Sequence, residues 1–283
     1  MTLLGLLGLN ALVILGLAAG LWLLSVRLED VSIVDLFWGP AFGILALVST
    51  LAASRGAPEL SLDRAWLLTA LTALWGLRLG VHLAKRNLGH GEDRRYQEIR
   101  ANNDPGFWWK SLFIVFWLQG ALVLIIGLPH QVAALRGGPL GLLDGLGALV
   151  FFLGLGCEAT ADRQLARFKA RPDSAGKVMD QGLWRYSRHP NYFGDALLWW
   201  GLWLISLGSG VVWTVISPLL MTLLLLKVSG VALLEKTITE RRPAYRDYIA
   251  RTSAFIPWPP KPAAAAAAES GQAPANDDAA PAP

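Results

Sequence analysis

The sequence predicts an all-α, polytopic membrane protein of about seven transmembrane helices. Three observations carry that reading. Of 283 residues, 54% are apolar and 16% charged, against about 25% charged in a soluble domain. The mean hydropathy is +0.43. The apolar residues gather into unbroken runs of Leu, Ala, Val and Gly, long enough to cross a hydrocarbon core about 30 Å thick. Nowhere do they alternate with polar residues over ten-residue segments, as outer-membrane strands do, so a β-barrel is excluded.

The spans follow in order at residues 3 to 24, 33 to 53, 65 to 84, 108 to 128, 140 to 157, 193 to 208 and 211 to 234. The first lacks the basic leader and small-residue cleavage site of a removable signal and reads as a retained helix. Long polar connectors follow spans three and five, at residues 85 to 107 and 158 to 192. The sixth span is the shortest. Residues 1 to 258 read as a single membrane domain. Residues 259 to 283 turn to Ala, Pro and polar residues, which have no apolar periodicity to bury and predict a disordered tail.

With the amino terminus outside, every Lys and Arg of the connectors and carboxy-terminal segment falls on the cytoplasmic side except Arg55, Arg64 and Arg136. That asymmetry sets orientation. It predicts an integral protein of a bacterial inner membrane, amino terminus periplasmic and carboxy terminus cytoplasmic. It also accounts for the net charge of +4, so nucleic acid is not an expected partner. The single cysteine, Cys157, and four scattered His build neither a disulfide nor a zinc site, and no metal is expected. The expected partners are membrane lipid and a hydrophobic small molecule, with the chain acting as a monomer.

Chemistry-bearing residues gather in three patches on the predicted cytoplasmic face. The first is Ser187-Arg188-His189-Pro190-Asn191-Tyr192-Phe193-Gly194-Asp195, where span six begins. Pro190 suits the first turn of a helix, whose open N–H groups favour an anion, and Arg185 and Arg188 add positive charge. Asn191 and Asp195 share a face. A basic membrane flank before an ordinary helix explains Arg188 and Pro190 but not that polar stripe. In the second patch Glu158, Asp162, Leu165 and Lys169 fall on one face of an extension of span five. The carboxylates suit ribose hydroxyls or an amide and Lys169 or Arg171 a phosphate, although a solvated helix end reads the same way. The third follows span seven, where Glu235, Arg241, Tyr245 and Tyr248 present a guanidinium and phenols, equally readable as interfacial anchors.

Inside the spans, Asp35, Arg78, Asp144 and Lys227 are ionisable and costly enough to be functional groups or halves of buried pairs. Asp35 stands beside Trp38, whose ring can wall an apolar ligand. Arg78 and His82 point along span three toward Arg86 and the connector bearing Arg95 and Tyr96.

Taken together, Arg188-His189-Pro190-Asn191-Tyr192 with Gly194-Asp195, then Glu235 and Arg241-Arg242-Pro243-Ala244-Tyr245-Arg246-Asp247-Tyr248, resemble the cofactor half shared by membrane steroid 5α-reductases, Δ14-sterol reductases and isoprenylcysteine carboxyl methyltransferases. Asp35-Leu36-Phe37-Trp38-Gly39, Trp75-Gly76-Leu77-Arg78-Leu79 and Gly91-Glu92-Asp93-Arg94-Arg95-Tyr96 resemble the bacterial branch of the steroid 5α-reductase family over about residues 30 to 258. The resemblance implies seven helices around an apolar substrate cavity and cytoplasmic connectors over NADPH. It implies cofactor contacts at Asp162, Lys169, Lys177, Tyr186, Asn191 and Asp195, with Tyr245 or Tyr248 near the carboxy end. The expected cofactor set also takes in the patch residues Arg185, Arg188, His189, Tyr192, Glu235 and Arg241, and Arg86, Arg95 and Tyr96. The animal enzymes polarise the steroid carbonyl with a Gln, a Glu and a Tyr. Here Phe37 and Trp38 stand about where the Gln and Glu align and Trp75 about where the Tyr aligns, so Asp35, with Trp38 and His82, takes the catalytic assignment.

The expected activity is NADPH-dependent reduction of the C=C bond of a hydrophobic enone, such as a 3-oxo-Δ4 steroid. The apolar surroundings of Asp35 favour a protonated acid that donates to the carbonyl. Two rival readings are an S-adenosylmethionine-dependent membrane methyltransferase and a transporter or structural membrane protein. The basic ladder Lys169, Arg171, Lys177, Arg185 and Arg188 counts against the first, and the absence of an inverted repeat against the second.

Overall fold

The computed structural model describes residues 1–228, 235, 238 and 244–262, and among these no strand occurs. Five stretches are long and apolar enough to cross a membrane: Leu3–Leu28, Val31–Gly56, Asp63–Asn87, Phe107–Ile126 and Leu142–Lys169. The chain is an integral membrane protein. The predicted sixth span is the helix Pro190–Leu207, whose first turns hold Asn191 and Asp195 and dilute its apolar character. The predicted seventh is described only in part, as a shorter apolar helix over Trp213–Lys227.

The helices are α1 (Leu3–Leu28), α2 (Val34–Gly56), α3 (Asp63–Asn87), α4 (Arg94–Asn103), α5 (Phe107–Ser111), α6 (Leu118–Ile126), α7 (Leu128–Arg136), α8 (Leu142–Lys169), α9 (Pro190–Leu207), α10 (Ile216–Leu223) and α11 (Tyr245–Arg251). A wider π-turn at Leu112–Trp117 joins α5 to α6. Two compact units form. One comprises Met1–Phe151 with Trp199–Leu220, the other Phe152–Leu198 with Met221–Pro283.

In the first unit α2 and α3 lie backbone to backbone. A Cβ on Gly76 would stand 2.3 Å from the Gly39 carbonyl oxygen, and one on Gly39 2.7 Å from that of Gly76. Apolar lipid gives helices no hydrophobic reason to associate, so small residues that permit such contact supply the packing. Pro40 leaves the Leu36 carbonyl without its helical donor, and Gly80 opposite keeps side-chain bulk away from it. Fully buried Phe42, Trp75 and Trp199 fill this unit's centre; Trp199 lies 4.7 Å from Phe42 and 5.3 Å from Trp75 between ring centroids. Asn10 donates to Ser49 at 2.9 Å and to Gln131 at 3.1 Å, stitching α1, α2 and α7. Exposed Leu4, Leu12 and Leu23 give α1 its lipid-facing surface.

Asp144 proves to be half of a buried pair. Both its oxygens accept from Arg64, at 2.8 and 2.9 Å, and Arg64 also donates to the carbonyls of Gly137 and Pro139. Buried charge persists only when its hydrogen bonds are so completed.

In the second unit, a Cβ on Gly194 of α9 would stand 2.5 Å from the Glu158 nitrogen of α8, and one on Gly154 2.6 Å from the Gly194 carbonyl. The segment after α11 runs back beside residues 186 to 188. Arg188 N–H donates to the Ser253 carbonyl at 2.8 Å and Trp258 N–H to that of Tyr186 at 2.9 Å.

Candidate functional site

The first unit carries a polar cluster around Asp35. Asp30 caps the 3-10 turn Val31–Ile33, accepting from Ser32 N–H at 2.8 Å, and α2 begins at once, placing Asp35 in its first turn. Negative charge there meets the positive end of the helix dipole. Asp93 caps α4, accepting from Arg95 N–H at 2.9 Å, so Arg95 and Tyr96 occupy that helix's first turn. Glu92 holds the two starts together. It accepts from Val31 N–H at 2.9 Å and from Arg100 at 2.8 and 2.9 Å; the Glu92 bonds push the Arg100 pKa up.

Asp35 therefore sits in a web of donors. Arg95 Nη2 reaches its two oxygens at 3.2 and 2.9 Å, and the Tyr96 hydroxyl donates to Oδ1 at 2.7 Å. Gln119 of α6 donates to the Tyr96 oxygen at 3.1 Å, and the Arg95 guanidinium lies 4.5 Å above the Tyr96 ring. Tyr96 is buried. Burial first, then the Asp35 charge, raises its pKa, so the phenol keeps its proton. Asp35, expected from sequence as an acid in apolar surroundings, has three donor contacts, two from Arg95 and one from Tyr96. Trp38, one turn along α2, meets Phe42 edge-on at 5.2 Å. His82 is half-buried on α3; Arg86 is exposed and donates to Asn87 at 2.9 Å.

The second unit carries the patches expected to hold a cofactor. The close approach at Gly154 and Gly194 lets Asn191 donate to Asp162 at 3.2 Å, leaving the Asn191 carboxamide oxygen buried and without a hydrogen-bond partner among the described residues. Asp195, one turn on, is buried. Arg188 stands elsewhere than on an exposed phosphate site. It donates twice to Glu235, at 2.7 and 3.0 Å, and to the carbonyls of Ile249 and Thr252. His189 meets the same carboxylate at 2.9 Å and stacks on Tyr192. Burial alone would raise the Glu235 pKa, but the bonds from His189 and Arg188 hold it down at about 2. This knot anchors the turn before α9.

Tyr248 is likewise internal: its hydroxyl donates to the Trp184 carbonyl, and its ring meets Tyr245 edge-on at 5.3 Å. Burial pushes Tyr245 up to about 12 and raises Tyr248 as well. Lys169, Lys177, Arg185 and Tyr186 are exposed, and Lys177 pairs with Asp173 at 3.0 Å. Arg241 lies outside the described residues.

Sequence reasoning missed Gln119 and the Glu92–Arg100 clasp. An amide within an apolar span was a signal for the first. The clasp is visible only once two connectors meet.

The matched segment, residues 21–252, belongs to a family described as a protein of unknown function, DUF1295. The chain is a member of that family. It is 27% identical over 269 residues to the Schizosaccharomyces pombe protein named Uncharacterized protein C594.04c, an alignment covering 84% of this chain and 75% of the other. No solved structure matches the chain.

Proposed function

We propose that this DUF1295 protein is an NADPH-dependent reductase of the C=C bond of a hydrophobic enone, a 3-oxo-Δ4 steroid or related lipid, of the membrane steroid 5α-reductase kind. The observation that carries the reading is the buried Tyr96 phenol held 2.7 Å from Asp35, one turn of α2 from the aromatic Trp38. Negative charge develops on the carbonyl oxygen of an enone as its β-carbon is reduced, and a fixed donor in a dry site stabilises that charge strongly. Tyr96 is the donor in this reading. Asp35 and Gln119 aim its O–H, Arg95 balances the Asp35 charge, and Trp38 offers an apolar wall. A proton reaching the α-carbon completes the saturated ketone.

NADPH, when bound, supplies the hydride that adds to the β-carbon. The second unit's residues fit such a group. The buried carboxamide oxygen of Asn191 has no donor among the described residues and suits the amide of a nicotinamide. Asp162 and Asp195 suit hydroxyls, and the exposed Lys169, Lys177 and Arg185 suit phosphates. Arg188, His189, Glu235 and Tyr248 act in this reading by holding the start of α9 in place. Motif resemblance and membership of DUF1295, a family related to steroid 5α-reductase-like proteins, support the assignment. The same reading takes seven spans, a bacterial inner membrane, a periplasmic amino terminus, cytoplasmic cofactor residues and a monomer.

Ligand-induced thermal stabilisation of the purified protein tests the cofactor, because only a ligand that binds the folded state raises its melting temperature. NADPH should stabilise more than NADH. Stabilisation by S-adenosylmethionine alone would replace the reductase with a methyltransferase.

A further inference from the structure

We propose a second anion site in the second unit, which takes a phosphate group in a cavity at the polar end of α8. The cavity measures about 240 Å³ and is lined by Gln164, Arg167, Phe168, Arg171, Gln181 and Gly182, with Met179 at its edge. Apart from Arg171, a member of the basic ladder, its lining is distinct from the residues proposed to hold the cofactor. Asp162 and Lys169 stand seven residues apart on one side of α8, whereas Arg167 projects from roughly the opposite side.

The cavity is built by specific contacts. Gln164 accepts from Leu183 N–H at 3.0 Å, which fixes one wall. Gly182 has a φ of +60°, and a Cβ there would stand 2.5 Å from the Gln164 amide nitrogen, so a glycine lets the backbone close against that wall. Phe168 and Met179 give it apolar surface.

Its charge is offset only in part, by Asp173 acting on Arg171 without a direct ion pair. Nearby carboxylates are taken, Asp173 by Lys177 at 3.0 Å and Asp180 by Arg251 at 2.7 Å, and Arg188 is held by Glu235. Among the described residues Arg167 and Arg171 have no carboxylate partner. Two guanidiniums beside amide donors, around a concavity, match the planar, multiply accepting surface of a phosphate. The phosphate comes either from an acidic lipid headgroup or from a soluble phosphate.

The test uses full-length protein in detergent. Inorganic phosphate is titrated by calorimetry, and phosphatidylglycerol against phosphatidylcholine is counted as bound adducts by native mass spectrometry. R167Q/R171Q should weaken the phosphate-bearing probe by about tenfold or more, as loss of two charge-assisted contacts implies. R163Q, which removes one charge from the same helix outside the cavity, should leave binding nearly unchanged. The arginines are exposed, and unchanged melting temperatures will show that the variants fold. Specific binding of inorganic phosphate supports a soluble source, and of phosphatidylglycerol alone a headgroup. Binding of neither probe overturns the site, as does wild-type affinity in R167Q/R171Q or an equal loss in R163Q.

Discussion

The Tyr96 hydroxyl donates to a carboxylate oxygen of Asp35 at 2.7 Å across 61 positions of sequence. Two capped helix starts and the Glu92 clasp bring them together. If this phenol polarises the substrate carbonyl, Tyr96→Phe keeps the ring under Arg95 but removes the donor. Enone turnover should then fall about a hundredfold or more, the usual weight of a positioned acid, with NADPH binding retained. Asp35→Asn should keep more activity than Asp35→Leu, because an amide oxygen can still accept from Tyr96. Steady-state rates of the three variants check this, and wild-type turnover in Tyr96→Phe would remove the phenol from the mechanism.

The Arg64–Asp144 pair gives a stability prediction. Removing one partner leaves the other charge buried, at a cost of about 3–5 kcal/mol, whereas replacing both with apolar residues is far milder. Asp144→Leu should therefore melt well below wild type in detergent, and Arg64→Leu/Asp144→Leu should recover much of the loss. A double variant no more stable than the worse single would contradict this.

Asn191→Ala should lose most cofactor binding while keeping its melting temperature, because the side chain's bond to Asp162 is at the long 3.2 Å. Binding isotherms for NADPH decide the matter; wild-type affinity would move the site away from the start of α9.

The knot at Glu235 predicts acid sensitivity of a defined sign. Its folded pKa is about 2 against 4.5 ordinarily, so the unfolded chain takes up a proton first. The contribution to stability is full above pH about 4.5 and lost as pH falls toward 2. Glu235→Gln should flatten the melting temperature's pH dependence in that window, measured by thermal scans from pH 6 to 3. An unchanged slope would mean that the carboxylate is not held by Arg188 and His189.

Much of the fold was legible because membrane spans are written as composition. Every polar backbone group must be satisfied within lipid, so long apolar runs become helices. The helix start at Pro190 and the shared face of Asn191 and Asp195 were readable for the same local reason. What was not readable was pairing. Asp144 was a lone intramembrane acid until Arg64, outside the predicted span, reached it. Arg188 looked like a phosphate ligand until Glu235 enclosed it. Tyr96 was placed with the cofactor, yet its hydroxyl is held by Asp35. Each outcome depends on contacts far apart in sequence, which neither periodicity nor motif spacing encodes.

The most direct test of the central claim is transfer of a labelled hydride. Purified protein is incubated with NADPH deuterated at the transferable position and a 3-oxo-Δ4 steroid, and the product is analysed by mass spectrometry and NMR. The account predicts a saturated ketone carrying one deuterium at the former β-carbon and formed with NADP⁺, with the rate lost in Tyr96→Phe. Unchanged enone and NADPH, alongside methyl transfer from S-adenosylmethionine to a lipid acceptor, would contradict it.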